Sequence, residues 1–227
     1  MLRGVFVTGT DTGVGKTVVS AALVSRLQGR LAISGHVLRY WKPVQTGIEQ
    51  DDDTAVVEWL SGCPGDVLRK QGVRLPRPVS PHLAARLSGQ QIDIDALIAT
   101  TRGEAAATRW IVEGAGGALV PLNQRDLMID LMQRLGLPVV VVTRTLLGTI
   151  NHTLLTLEAI RARELRVAGV VMVGEPNADN RDAIETYGRT PVIGEMPRID
   201  PLTPQALARW ASADLDADDQ LLERCFA

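Results

Sequence analysis

The chain has 227 residues, of which 45% are hydrophobic and 22% charged, and its 24 basic side chains nearly balance 26 acidic ones. This length and composition allow a large buried core, which excludes disordered, collagen-like and small disulfide-stapled proteins. A formal net charge of -2 gives no overall attraction to nucleic acid or to an anionic membrane, and the lone Cys63 and Cys225 do not form a metal or redox motif.

Short β-branched runs alternate with stretches of helical periodicity along the chain, which is typical of βα units. We predict strands over residues 2–8, 36–41, 110–113, 139–143, 167–173 and 191–195. We predict helices over residues 16–28, 54–60, 82–87, 94–101, 127–135, 152–163, 178–187 and 204–211, and a last short helix at 220–224. Several strands are apolar on successive residues, so helices should cover both faces of the sheet. We therefore expect one α/β domain over residues 1–227, with three layers, α/β/α, around a mostly parallel sheet.

Residues 61–81 are the least regular region and hold four of the twelve prolines. Apolar residues continue through them, so we interpret the region as an ordered excursion within the domain. The N-terminal residues show no secretory leader, and the longest dense apolar run, residues 137–142, is too short to span a membrane. We expect a cytoplasmic protein with neither membrane nor nucleic acid as a partner.

Residues 9–17, Gly-Thr-Asp-Thr-Gly-Val-Gly-Lys-Thr, join the first predicted strand to the first predicted helix and are called here the phosphate loop. Glycines in this setting let the backbone form a nest of N–H donors for phosphate at the positive end of a helix. Lys16 is placed to reach the terminal phosphates, and the Thr17 hydroxyl to ligate Mg²⁺. The pattern predicts a P-loop NTPase-like domain that binds ATP through Gly13, Val14, Gly15, Lys16, Thr17 and Val18.

The phosphate loop departs from the usual pattern because five residues, rather than four, separate Gly9 from Gly15. Partition and cell-division ATPases carry a lysine near the start of such a loop, where this chain has Asp11. The full string instead resembles that of the dethiobiotin synthetases, which close the ureido ring of the biotin precursor. Similar strings follow in the family's order at residues 42–47, 80–82, 112–117 and 147–152, so the resemblance extends from residue 8 to about residue 197.

The resemblance implies that 7,8-diaminononanoate and CO2 form a carbamate, that ATP phosphorylates it, and that ring closure gives dethiobiotin, ADP and phosphate. It implies Lys42 and Lys16 as catalytic lysines, the first at the carbamate and migrating phosphoryl group, the second at the phosphate oxygens. It assigns the diamine to Thr12, Lys42, Thr46, Ser80, Gly116 and Gly117, and to Gly148, Thr149, Ile150 and Asn151 from the neighbouring subunit of a homodimer. Asn151 is expected to cap the helix that follows it.

The predicted magnesium ligands are Thr17, Asp53 and Glu113. Two carboxylates beside a triphosphate repel it unless a cation lies among them, and oxygen ligands suit Mg²⁺. Glu113 is also placed among the nucleotide-binding residues. Alignment favours Asp53 over Asp51 and Asp52, but the alternative that Asp53 only caps the next helix stays open.

The chain departs from the family at Val173, where relatives often carry an asparagine that reads the adenine. Gly174 and Pro197 are the expected contacts on this side of the nucleotide, with Asn177, Asn180 or the backbone of residues 194–197 as other readers of the base. We therefore hypothesise a relaxed base preference. Two other functions stay open: a dimeric switch ATPase like the partition proteins, with no small-molecule substrate, and a P-loop synthetase or amidase that acts on another acid.

Overall fold

A computed structural model describes residues 2–226 of the chain. The strands are β1 (Arg3–Gly9), β2 (Val37–Trp41), β3 (Val44–Thr46), β4 (Leu68–Arg69), β5 (Val73–Leu75), β6 (Thr108–Gly117), β7 (Val139–Arg144), β8 (Val167–Val173) and β9 (Val192–Met196). The α-helices are α1 (Lys16–Ile33), α2 (Asp53–Ser61), α3 (Pro81–Leu87), α4 (Ile94–Ala99), α5 (Met128–Leu135), α6 (Thr149–Ala162), α7 (Ala178–Gly188) and α8 (Pro204–Ala213). A 3₁₀ turn covers Gly65–Val67, and the predicted last helix is a π-helical turn, Leu222–Phe226.

Seven strands form one sheet in the order β4-β2-β6-β1-β7-β8-β9, and all of its neighbouring strands run parallel. The central strand β1 pairs with β6 on one side, Phe6 opposite Val112, and with β7 on the other, Phe6 opposite Val139. In a parallel sheet the carboxyl ends of all strands meet at one edge, where ligands bind. The segments that follow β1, β2, β6 and β7 are therefore brought together there.

Helices cover both faces of this sheet, as its continuous apolar strands predicted. On β1, Val5 and Val7 pack into a cluster with Trp210 of α8, whereas Phe6 packs into the opposite cluster with Met128 of α5. The three β1 side chains are fully buried. The predicted three-layer α/β/α fold is confirmed.

Three short strands, β3, β4 and β5, were missed by the sequence prediction. β4 pairs with β2 at the edge of the main sheet, and β3 and β5 pair with each other in a separate parallel ribbon. The excursion over residues 61–81 is ordered and contains β4 and β5. The predicted helix cap at Asn151 is wrong: α6 begins at Thr149, after Gly148 in the left-handed conformation with φ 94°. Because glycine adopts that conformation freely and ends the loop there, Asn151 falls inside the first turn. No helix within residues 2–226 combines the length and hydrophobicity needed to cross a membrane.

Candidate active site

The phosphate loop leaves the carboxyl end of β1 and turns directly into α1. Gly13 and Gly15 have φ of 68° and 100°, in the left-handed region that favours glycine, and Gly15 precedes the first helical residue, Lys16. The Lys16 ammonium donates to the Asp11 carbonyl oxygen at 2.8 Å. The loop thus wraps around the end of a lysine side chain, at a helix N-terminus that favours anions.

The pKa of Lys16 is lowered by its surroundings. Burial, together with the like charge of Lys42, lowers the pKa of Lys16 to about 8, against the opposing pull of Glu113 and Asp53. The ammonium groups of Lys16 and Lys42 therefore face the same cavity. Such a space suits a ligand with several negative charges.

Lys42 lies between two carboxylates. It follows β2, and its Nζ atom lies 2.6 Å from Oε1 of Glu113 in β6 and 2.7 Å from Oδ2 of Asp53 at the start of α2. The ammonium also donates to the Gly114 carbonyl oxygen at 3.1 Å. The Lys42 side chain is 4% exposed and that of Glu113 is fully buried, so this ion-pair cluster is nearly dehydrated.

The cluster shifts the protonation equilibria of Lys42 and Asp53 toward their charged forms. Burial alone would lower the pKa of Lys42, but the carboxylates of Glu113 and Asp53 together raise it. Burial likewise opposes ionisation of Asp53, and Lys42 overcomes this and lowers the pKa of that carboxyl. The site therefore holds a fixed ammonium between fixed carboxylates at neutral pH.

Tyr40 is a member of the site that the sequence analysis missed. Its hydroxyl donates to Oε2 of Glu113 at 2.9 Å, and both side chains are fully buried. Burial and the nearby negative charge of Glu113 raise the pKa of Tyr40 well above its usual value, so the hydroxyl keeps its proton. The available signal was the strand period of two, which places Tyr40 on the same face as Lys42.

The three consecutive aspartates have different roles. The Asp52 carboxylate caps α2, accepting from the backbone N–H groups of Thr54 and Ala55. Asp53 is therefore not the cap, and its carboxylate faces Lys42 and Thr17 instead. Asp51 lies at the rim, where its backbone carbonyl accepts from the Gln45 amide at 2.9 Å.

Three oxygen-bearing side chains, those predicted to hold magnesium, converge at the start of α1. The Thr17 hydroxyl lies 2.9 Å from Oδ1 of Asp53 and 3.0 Å from Oε1 of Glu113. Within residues 2–226 no group of three or more His, Cys, Asp or Glu side chains is arranged to hold a metal alone. The donor set is nevertheless all oxygen and fits Mg²⁺, which commonly takes one or two carboxylates and completes its shell with phosphate oxygens and water.

These groups line one open cavity of about 600 Å³, within the range of small-molecule sites. The predicted site residues that line it are Thr12, Gly13, Gly15, Lys16, Thr17, Val18, Lys42, Thr46, Asp53, Ser80, Glu113 and Gly116. The wall opposite the phosphate loop is formed by residues that the sequence analysis did not select, such as Gln45, Pro78 and Val120. Although Ser80 precedes α3, its hydroxyl does not cap that helix.

Some of the predicted residues lie elsewhere. Val14 is the buried member of the phosphate loop and does not line the cavity. Gly117 pairs with Gly9, where an added Cβ would come within 3.2 Å of the Gly9 carbonyl oxygen. Gly148, Thr149, Ile150 and Asn151 form the first turn of α6 and do not line the cavity. Beside them, Leu146 and Leu147 are among the most exposed apolar side chains in the described part of the chain.

The predicted base contacts lie next to the phosphate loop at the ends of β8 and β9. The Val173 side chain packs against Gly15, about 3.2 Å from where a Cβ would stand. The Gly174 N–H donates to the Met196 carbonyl at 2.9 Å, which places Gly174 beside the exposed Pro197. The Val173 side chain has no hydrogen-bonding group to offer here. The Asn177 side chain caps α7, and the Asn180 amide donates to the Thr145 carbonyl at 2.9 Å.

Comparisons with known proteins assign this arrangement to a family. Residues 3–206 match a family model described as an AAA domain. A protein of Bradyrhizobium diazoefficiens described as an ATP-dependent dethiobiotin synthetase is 44% identical over 207 residues, covering 91% of this chain and 92% of the relative. A relative of the same description from Nitrobacter hamburgensis is 43% identical over 223 residues, covering 98% and 99% of the two chains.

Another relative is longer than this chain. A bifunctional biotin biosynthesis protein of Bordetella avium is 49% identical over 221 residues, which cover 97% of this chain but only 44% of that protein.

Solved structures agree on the fold. A ParA family ATPase from Chlorobium tepidum has a TM-score of 0.57 at 12% identity, and the match covers 97% of this chain and 96% of that ATPase. The cell-division ATPase MinD of Pyrococcus furiosus has a TM-score of 0.58 at 15% identity, with the same coverage of both chains.

Proposed function

The chain belongs to the family of ATP-dependent dethiobiotin synthetases, and from that premise we propose that it converts 7,8-diaminononanoate, CO2 and ATP into dethiobiotin, ADP and phosphate. Like its relatives it is an ATP-dependent ligase that forms C–N bonds in biotin biosynthesis. The observation that carries the detailed proposal is the buried Lys42 ammonium, held by Glu113 and Asp53 beside Lys16 in one cavity.

The proposed reaction has three steps. One amine of the diamine attacks CO2 and loses a proton, which gives a carbamate. A carbamate oxygen takes the γ-phosphoryl group of ATP, and ADP leaves. The second amine then attacks the carbamate carbon, loses its proton and displaces phosphate, which closes the cyclic urea.

Lys42 and Lys16 suit these steps because each develops or moves negative charge. The Lys42 ammonium, which the two carboxylates keep protonated, would neutralise the carbamate and the migrating phosphoryl group. Lys16 would stabilise the charge that builds on the phosphate oxygens. Neither lysine forms a covalent bond to the substrate. Thr12, Thr46, Ser80 and Gly116 line the same cavity and would face the diamine.

Mg²⁺ would be held by Thr17, Asp53 and Glu113, whose oxygens converge in the cavity. When bound, the ion supplies positive charge that offsets the triphosphate. Glu113 then faces three groups at once: Lys42, the Thr17 hydroxyl and the Tyr40 hydroxyl. Tyr40 would hold the Glu113 carboxylate in place beside the cation.

The proposed dimer supplies the part of the site that one chain lacks. The first turn of α6 lies outside the chain's own cavity, and its exposed neighbours Leu146 and Leu147 suit contact with a second copy. Free N–H groups at that helix start would bind the carboxylate of a diamine held mainly by the other protomer. Light scattering on size-separated protein should give a dimer, and a monomer at the assay concentration would contradict this part of the proposal.

The test of the reaction combines purified protein with 7,8-diaminononanoate, bicarbonate, MgCl2 and ATP, and omits each in turn. We expect product of the mass of dethiobiotin, and an equal amount of ADP, only in the complete mixture. ADP release that does not depend on the diamine, with no new product, would overturn the proposal and favour a switch ATPase. ADP release stimulated by a different acid, but not by this diamine, would favour another P-loop synthetase.

A further inference from the structure

Four threonine hydroxyls form a continuous polar chain between the phosphate loop and α6. Thr143, at the end of β7, is the centre: its hydroxyl lies 3.2 Å from that of Thr10, 2.8 Å from that of Thr149 and 3.0 Å from that of Thr153. Thr143 is 1% exposed and Thr153 fully buried. The middle of this polar chain therefore lies away from solvent, and its end at Thr10 is only partly buried. No hydroxyl of Thr143, Thr149 or Thr153 is without a partner.

The donor in each of these threonine–threonine hydrogen bonds can be assigned by starting from Thr149, at one end of the polar chain. A hydroxyl has one proton and two lone pairs, and a carbonyl oxygen only accepts. The Thr149 hydroxyl donates to the Arg144 carbonyl oxygen, so its proton is used there. Thr143 must then donate to Thr149, and its two lone pairs accept from Thr153 and Thr10.

The same strand end is joined to the phosphate loop by two more hydrogen bonds. The Thr10 N–H donates to the Val142 carbonyl at 3.0 Å, and the Arg144 guanidinium donates to the Thr12 carbonyl at 3.1 Å. On its other side the strand holds α6 through Thr149 and Thr153. The end of β7 is therefore attached both to the loop that would bind nucleotide and to the helix start that would bind the substrate carboxylate.

A hydroxyl at residue 143 is needed for the side-chain part of this connection, the chain of threonine hydroxyls. The four residues before it, Val139–Val142, are valines, and valine has nearly the shape of threonine. Valine at 143 would leave the Thr10 and Thr153 hydroxyls without their shared acceptor and Thr149 without its donor. Buried polar groups that lose a partner in this way shift toward other arrangements, because leaving them unpaired is costly.

We propose that Thr143 is a positioning residue that couples nucleotide binding at the phosphate loop to diamine carboxylate binding at α6. This inference rests on the proposed function, in which α6 of one protomer completes the site of its partner. ATP bound at one site would then fix the helix start that serves the other site and tighten diamine binding there. Because linkage is reciprocal, bound diamine would tighten nucleotide binding by the same factor.

The test compares Thr143→Val with two controls, Thr143→Ser, which keeps the hydroxyl, and Thr156→Val. The Thr156 hydroxyl also lies on α6 but bonds only to the His152 carbonyl of its own helix. Calorimetry measures the Kd of the diamine with and without a non-hydrolysable ATP analogue, and turnover assays measure KM and kcat. Cooperative thermal unfolding checks that each variant is folded.

In wild type and both controls we expect the analogue to tighten diamine binding at least about fivefold. In Thr143→Val the ratio should fall to within about twofold of unity, with a raised KM for the diamine and a kcat changed less than about threefold. A wild-type ratio in Thr143→Val would overturn the inference, as would a ratio of unity in a wild-type protein that makes dethiobiotin. Absence of product from wild type would overturn the proposed function itself, and this inference with it. If Thr143→Val does not fold, Thr153→Val removes one donor instead, and an unchanged ratio there would overturn the inference.

Discussion

Replacing Lys42 with methionine removes the buried ammonium and keeps the length of its apolar stem. The lost charge lies 2.6 Å from Glu113 and 2.7 Å from Asp53 and is fixed in place before any substrate arrives. Preorganised groups of this kind contribute about 3–4 kcal/mol to the transition state, so we expect kcat to fall about 10²–10³-fold. The affinity for ATP should change less than about threefold, because Lys16 and the phosphate loop are unaltered.

The same substitution should also lower the free energy of unfolding. The size of that loss depends on how deeply the ion-pair cluster is buried. Removing one member of a buried ion pair costs about 3–5 kcal/mol. We expect about 3 kcal/mol, at the low end of that range, because Asp53 is 28% exposed and Glu113 keeps its hydrogen bonds from Tyr40 and Thr17. The double variant Lys42→Met/Glu113→Gln should recover part of that loss, since the fully buried carboxylate is then replaced by a neutral amide and only the partly exposed Asp53 is left without Lys42.

Turnover is followed by product mass, nucleotide affinity by calorimetry and stability by urea unfolding. The chain has only three lysines, and the exposed Lys70 provides the matched control, Lys70→Met, which should leave all three quantities unchanged. Turnover of Lys42→Met within tenfold of wild type would refute the catalytic role. A parallel collapse of ATP binding would show that Lys42 serves the nucleotide rather than the carbamate.

Three further predictions concern the metal ligand, the charge of the phosphate-loop lysine and the base. Asp52→Ala should lose about 1 kcal/mol of stability through its helix cap and keep its response to Mg²⁺, whereas Asp53→Ala should lose most of that response. Urea unfolding and a Mg²⁺ titration of activity separate the two, and the reverse pattern would place the ligand at Asp52. Because the pKa of Lys16 is about 8 in the free protein and bound phosphates favour its charged form, the Kd for ATP should be constant below pH 8 and rise above it, with proton uptake on binding. Calorimetry in two buffers that shows the same Kd at pH 7 and pH 9.5 and no proton uptake would contradict that assignment. Wild type should use CTP and GTP nearly as well as ATP, and Val173→Asn should raise the preference for ATP; a large preference in wild type, by kcat/KM, would rule out the relaxed site.

The main elements of the fold could be predicted from the sequence because buried parallel strands are continuous apolar runs. Residues 167–173 were predicted as a strand with the bounds that β8 has in the structure. The strands β3 and β5 have three residues each, too few to show a period, and their pairing with each other depends on contacts across 29 residues of chain, Val44 opposite Val73. Such pairing is a tertiary property that local pattern does not encode.

The candidate site was likewise predictable from the sequence only in part. The phosphate loop, Lys42 after β2 and Glu113 within β6 could be predicted from the sequence. Short motifs mark these residues at the carboxyl ends of parallel strands, where ligands bind. Which of three adjacent aspartates faces Lys42 depends on where α2 begins, a boundary that composition leaves uncertain by a residue or two. Asn151 was assigned as a cap because its side chain suits that role, but the conformation of Gly148 determines where α6 starts. The Tyr40 contact and the threonine chain join residues far apart in sequence, so only the folded structure reveals them.

The most direct test of the proposed chemistry follows an oxygen atom from CO2 into phosphate. The protein is mixed rapidly with ATP, Mg²⁺, the diamine and CO2 labelled with ¹⁸O, and the masses of phosphate and dethiobiotin are measured before the label exchanges with water. If a carbamate oxygen takes the γ-phosphoryl group, each released phosphate carries one heavy oxygen and each ring carbonyl carries the other. Dethiobiotin formed beside phosphate that carries no heavy oxygen would mean that ATP is hydrolysed without a phosphorylated carbamate, and would contradict the mechanism.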